Sequence, residues 1–124
     1  MKKPISINKH RAKVDAVFSR WIRNRDEGVC FTCGLKREPK AMQNGHYVSR
    51  QFNATRFDER NCNTQCYACN MFYGGRPATY TLKLQEKYGE GIIKELHDLG
   101  KTSKQFSHEE LDSIIEKYAD RNIY

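Results

Sequence analysis

The apolar positions of this chain form four helical stripes around a central stretch with no helical period. Val14, Val17, Phe18, Trp21 and Ile22 recur at three- and four-residue spacing. They predict a helix over about residues 9–26, capped by Asn8 and set in a basic segment 8–27. Trp21 reads as a core anchor of that helix. Residues 1–7 have no period and read as a flexible arm. Tyr80, Leu84 and Tyr88 predict a helix over 78–88, with Pro77 in its first turn and Gly89 as its stop. Ile92, Ile93 and Leu96 predict a short helix over 90–99, ended by Gly100. Ser107-His108-Glu109-Glu110 is a capping box that opens a last helix to about Arg121, with Leu111, Ile114, Ile115 and Tyr118 inward.

The stretch from Gly28 to Gly75 follows another pattern. Residues 29–37 predict a hairpin, and Pro39 interrupts regular structure. Residues 43–50 read as a strand and 51–60 as a loop with one helical turn, pinned to the core by Phe52 and Phe57. Residues 61–65 read as a second strand, and 67–73 as a helix stopped by Gly74-Gly75. Strand, loop, strand and helix make a ββα unit. No internal repeat or low-complexity tract interrupts the chain.

Cysteine placement gives that unit a staple. Cys30-Phe31-Thr32-Cys33 and Cys66-Tyr67-Ala68-Cys69 are two C-x-x-C pairs. Each can offer two thiolates from one tight turn, the arrangement tetrahedral Zn²⁺ takes in closed structural sites. Gly34 suits the sharp return of a zinc hairpin. The competing reading is a pair of redox-active or disulfide-forming dithiols, which two pairs bracketing a histidine disfavour. A closed four-cysteine site has no open position for substrate, so any chemistry must come from other residues in the bracket. The fifth cysteine, Cys62, reads as a small buried side chain.

Length and charge narrow the function classes. The 124 residues suit one domain over 1–124: arm 1–7, basic helix 8–27, zinc core 28–75 and helical cover 76–124. The chain opens on no apolar leader and holds no run long enough to span a membrane. An odd count of five cysteines, with no leader, fits a reducing, intracellular compartment where thiols stay free to bind metal. The net charge of +7 is uneven. Residues 1–25 carry eight Lys or Arg against Asp15 alone, residues 26–85 carry +3, and residues 86–124 carry −3. A basic end on a metal-built core fits a polyanion, most simply nucleic acid; the competing reading is a solvated helix face. Lys13, Arg20, Arg23, Arg50 and Arg76 are the candidate DNA contacts.

Within the bracket, His46 is a natural general base, because imidazole titrates near neutrality. Asn70 follows Cys69 at a predicted helix start, where its amide oxygen can reach a divalent cation. Asn61, where the loop meets the second strand, can hold that loop by backbone hydrogen bonds. Each has an ordinary reading too: a structural histidine, a helix cap, a loop asparagine.

The order of zinc hairpin, Gly45-His46-Tyr47, Arg56-Phe57-Asp58-Glu59-Arg60-Asn61 and Gln65-Cys66-Tyr67-Ala68-Cys69-Asn70 resembles the HNH, or ββα-metal, endonucleases in their HNN form. Over roughly residues 28–100 it resembles more narrowly the phage NinG/Rap recombination nucleases, which act on branched DNA. The resemblance implies His46 as general base, Asn61 as the loop-fixing residue, and Asn70 as ligand of a catalytic Mg²⁺ or Mn²⁺. It implies Cys30, Cys33, Cys66 and Cys69 as ligands of structural Zn²⁺. Many HNH proteins carry an acidic metal ligand just before the histidine. Here Gln43, Asn44 and Gly45 stand there, and Asn44 or Asp58 is the candidate to complete the shell.

The expected fold is α+β: a zinc-stapled ββα-metal core, treble-clef-like, with a basic N-terminal helix and C-terminal helices. The expected function is a metal-dependent DNA endonuclease of phage or prophage origin, working in the bacterial cytoplasm on branched DNA, with a homodimer open. The alternatives are a non-catalytic zinc-containing DNA-binding module and a protein-binding adaptor.

Overall fold

The structure, a computed structural model, describes residues 5–119. The predicted tip of the arm and the predicted helix end at Arg121 lie outside them. Helix α1 (Ile7–Arg25) starts earlier than Asn8 implies, because the Ser6 hydroxyl accepts the Lys9 N–H at 3.2 Å and caps it. Asn8 sits in the first turn and accepts from the Arg11 guanidinium instead. One face of α1 buries His10, Val14, Phe18 and Ile22, one residue per turn.

After α1 the chain turns through 26–28 into a hairpin closed by a Val29–Lys36 bridge, then a single 3₁₀ turn, Pro39–Ala41. Strand β1 (Gln43–His46) pairs antiparallel with β2 (Cys62–Gln65), in the register Gln43↔Gln65 to His46↔Cys62. β1 is shorter than the predicted 43–50, and Asn61 supplies the reason. Tyr47 N–H still donates to the Asn61 carbonyl. At Val48 the Asn61 side chain takes over: its Oδ1 accepts the Val48 N–H at 2.8 Å, and its Nδ2 donates to the Val48 carbonyl at 3.0 Å. The ladder therefore ends on a side chain, and the backbone bends away.

The loop between the strands holds one turn, α2 (Asn53–Arg56). Phe57 packs edge-on against Phe18, with ring centroids 5.6 Å apart. Phe52 does not pin the loop; it is exposed. Beyond β2 the predicted α-helix is a wide π-helical turn, Ala68–Phe72, in which Tyr73 N–H reaches back five residues to the Ala68 carbonyl.

Three helices complete the fold: α3 (Pro77–Tyr88), α4 (Ile92–Gly100) and α5 (His108–Tyr118). Tyr80 and Leu84 of α3 pack with Val48, Ile92 and Leu96. Tyr88, predicted inward, lies at the exposed last turn of α3. Ser107 and Glu110 form the expected capping box of α5. α5 lies along α1, where Tyr118 meets Phe18 and Trp21 at 4.8 and 4.9 Å between centroids. At the other end His10 bridges the two helices. Its Nε2 donates to Asp112, and its Nδ1 faces His108 Nδ1 at 2.5 Å. The architecture is α+β, a two-stranded sheet among helices. Among the described residues no helix is long and apolar enough to cross a membrane.

Candidate active site and four-cysteine metal centre

The two C-x-x-C turns are brought together by β2. Gly34, at φ +78°, turns the first back so that its N–H meets the Cys30 carbonyl at 2.9 Å. Phe31 N–H donates to the Thr64 carbonyl and ties that turn to the sheet. Gln65, fully buried, ties both ends: its Nε2 donates to the Thr32 hydroxyl at 3.1 Å and to the Gly75 carbonyl at 2.9 Å.

The four thiols of Cys30, Cys33, Cys66 and Cys69 then lie within 4.8 Å of one another. Four sulfurs around a tetrahedral Zn²⁺ at ~2.3 Å stand roughly 3.8 Å apart, and Cys33 and Cys66 are 3.7 Å apart. The donor set fits a metal such as zinc. Burial opposes ionisation of Cys30, but hydrogen bonds from Thr32 and neighbouring backbone draw its pKa to about 6. Burial and the adjacent thiols push Cys33 up to about 12. A divalent cation would release the protons that such a cluster retains. Cys62 stands outside the group: it is fully buried, its pKa is driven well up by burial, and its sulfur faces the Arg56 carbonyl.

On the other side of β1 a cleft of about 520 Å³ opens between α1, the sheet and the π-helical turn. Its wall includes His46, Asn70, Asn44, Asp15, Arg23 and Arg50. His46 Nε2 lies 3.0 Å from the Arg56 carbonyl. A carbonyl only accepts, so Nε2 carries the proton, and in the neutral ring Nδ1 keeps a lone pair. Burial lowers the His46 pKa, only partly countered by the hydrogen bond to Arg56 and the charge of Asp15. Asn70 Nδ2 donates to Gln43 Oε1 at 2.7 Å, which fixes its amide plane and leaves Oδ1 as the acceptor.

Asn61 is fully buried and reaches no part of the cleft wall; besides Val48 it donates to the Thr55 carbonyl at 3.2 Å. It braces the two ends of the loop that carries Arg56. Asp58 is not in the cleft: it pairs with Arg60 at 2.9 Å and lines a separate hollow under α4. Asn44 does line the cleft, and its Oδ1 is buried with no hydrogen-bond partner among the described residues. That orphaned acceptor suits a cation or a donor entering the cleft.

The acid of the cleft is Asp15, two turns before Arg23 on α1. The Arg56 guanidinium grips its carboxylate with two nitrogens, while Arg56 Nη1 donates to the Arg50 carbonyl at 2.7 Å. Sequence reasoning gave Asp15 no role. The available signal was its position as the lone acid among eight basic residues. Of the candidate DNA contacts, Arg23 and Arg50 line the cleft, Arg23 also donating to the Pro39 carbonyl. Arg76 lies by the metal centre, its Nε 3.1 Å from Cys69 Sγ. Lys13 and Arg20 are exposed on α1 but outside the cleft wall.

The family model described as bacteriophage lambda NinG protein matches residues 2–122. The chain is 30% identical to Protein ninG of Salmonella phage P22, 29% to that of Escherichia phage 933W and 27% to that of Escherichia phage lambda. Each match runs over 103 residues, 82% of this chain and 50% of the relative, so the chain spans about half the length of these curated relatives. No solved structure matches it. With a family model covering nearly its whole length, around both cysteine pairs and the cleft between them, the chain belongs to the NinG family.

Proposed function

We propose that this protein is a metal-dependent DNA endonuclease of the HNH type, acting in phage recombination on branched or structured DNA. The observation that carries the reading is the joint placement of His46 and Asn70 on one cleft, with Arg23 and Arg50 on its wall. A histidine enclosed on all sides by protein would favour a plain DNA-binding module. Here Nδ1 has no hydrogen-bond partner among the described residues.

His46 Nδ1 takes the proton of a water that attacks phosphorus in line. The Arg56 carbonyl holds the ring in the tautomer this requires, and Asn61 holds the loop that presents that carbonyl. Asn70 Oδ1, Asn44 Oδ1 and the Asp15 carboxylate are the oxygens that would hold Mg²⁺ or Mn²⁺. A divalent cation, when bound, supplies positive charge to the scissile phosphate and its leaving oxygen. Arg23 and Arg50 draw the phosphate backbone to the cleft.

The test is nicking of linear, supercoiled and four-way-junction DNA with Mg²⁺ and with Mn²⁺, scored per folded, zinc-loaded molecule. His46→Ala is expected to lose about 10²- to 10⁴-fold in rate with folding and DNA affinity kept. Asn70→Ala is expected to need more Mg²⁺ or Mn²⁺ for the same rate. An unchanged rate in His46→Ala overturns the mechanism. DNA binding without cleavage by the wild-type chain leaves the non-catalytic zinc module as the reading.

A further inference from the structure

The segment 67–73, which holds the π-helical turn and the second residue of the second cysteine pair, exposes apolar side chains. Tyr67 is 64% exposed, Met71 58%, Phe72 76% and Tyr73 50%. Single exposed apolar residues are ordinary, and Leu82 of α3 is one. Four within seven residues, three of them aromatic, concentrate exposed apolar side chains on one short segment, and such concentrations mark interaction sites. The sequence offers the turn no helical face to bury: its one inward side chain is the metal-centre thiol Cys69.

Phe72 and Arg76 both contact Tyr73 beside the cleft. Asn70 and Met71 lie on the cleft wall, so the turn forms its rim. Phe72 and Tyr73 meet edge to face, with centroids 4.9 Å apart at 83°. The Arg76 guanidinium lies 3.9 Å from the centre of the Tyr73 ring, while its Nε is fixed on Cys69 Sγ. The metal centre thus anchors a cation stacked on an aromatic ring.

We infer that Tyr67, Phe72 and Tyr73 form a stacking site for unpaired bases of a DNA strand whose backbone lies in the His46 cleft. This deepens the nuclease reading and rests on it. Charge chooses the occupant. Arg76 stacks on Tyr73, and the cleft whose wall includes Met71 of the turn also carries Arg23 and Arg50, in a chain of net charge +7. A purely apolar partner surface would bury those charges at a cost; a polyanion with exposed ring faces complements both features. Paired bases present only their edges to the outside of a duplex, whereas unpaired bases present the faces that aromatic rings need.

The experiment uses the 124-residue, zinc-loaded chain and three fluorescent probes: a single-stranded oligonucleotide, a fork with unpaired arms, and a duplex of equal length. Phe72→Ala, the double variant Phe72→Ala/Tyr73→Ala, and Phe72→Trp are compared, with sedimentation velocity on each. Affinity for the single strand and the fork is expected to fall about tenfold per ring removed, with duplex affinity unchanged and Phe72→Trp close to wild type. Equal loss on all three probes, or no loss on any, overturns the stacking site. So does a wild-type dimer that the double variant turns into monomer with DNA affinity intact, since the patch is then a self-association surface. Wild-type chain that binds no DNA brings down the nuclease reading and this inference together. Wild-type chain that cuts DNA beside indifferent variants brings down this inference alone.

Discussion

Burial holds the His46 imidazole below its ordinary value of 6.5. The depressed value keeps the ring neutral, with Nδ1 as acceptor, further into acid than a free histidine. Two measurements follow, with signs set by linkage. If His46 is the base, the acid limb of the cleavage rate should have its midpoint below 6.5. Stability should respond in the same window. Below 6.5 the unfolded chain takes up a proton that the folded His46 resists, so the folded state loses ground as pH falls through that range. Substitution of His46 by Ala should remove that part of the slope, readable as denaturation midpoints between neutral pH and pH 5. An acid limb above 6.5 would mean that another group titrates. Asn44 stands beside this histidine as the other unusual residue of the strand. An unsatisfied buried oxygen costs on the order of 1–3 kcal/mol, a penalty that a cation or donor in the cleft would offset.

The strand that carries His46 depends on a residue with no side chain. A Cβ on Gly45 would lie 2.0 Å from Gln65 Oε1 and 2.9 Å from its Cγ. Gln65 cannot swing away freely, because its amide is bonded to Thr32 and Gly75 in the buried seam between the two cysteine turns. Gly45→Ala should therefore destabilise by about 1–3 kcal/mol through overpacking. In a double-mutant cycle with Gln65→Ala the two losses should be far from additive; additive losses would place the cause elsewhere. Elements like the helices were legible beforehand, because one burial face repeats at helical spacing: Val14, Phe18 and Ile22 announce α1 by themselves. The cysteine pairs were legible because metal chemistry fixes their local spacing. The end of β1 was not, since it is set by one asparagine amide thirteen residues further on. Nor was the acid of the cleft, since Asp15 gains its place only when α1 packs on the loop holding Arg56, 41 residues away. A helix over 67–73 was legible too, but its π-helical width, seen in the five-residue hydrogen bond from Tyr73 to Ala68, was not.

Among the described residues the apolar interior forms three clusters. One cluster joins α1, α5 and Cys62, a second joins α3, α4 and Val48, and the third consists of Cys30, Cys66 and Cys69 with Met42. The third contains a single side chain other than cysteine, and it supports β1, the π-helical turn and the cleft between them. Burying one methionine is worth about 1.5–3 kcal/mol. The apparent binding energy of a structural zinc site in a small domain is about 10–16 kcal/mol near neutral pH. A metal held by these thiols would then outweigh packing in stabilising this cluster. Stripping the chain with a strong chelator should release about one zinc per chain and abolish the cooperative thermal transition, followed together by circular dichroism and a zinc-sensitive dye. Cys66→Ser should reach the same state without chelator. Cys62→Ser supplies the control, because Cys62 is buried with the aromatic cluster and outside the group of four, so it should keep its zinc while losing some stability. A chelated chain that retains its ellipticity and its transition would show that the sheet, and the cleft it positions, stand without metal. Zinc loss in Cys62→Ser alone would point to a different ligand set from the one that the 3.7 Å Cys33–Cys66 spacing supports.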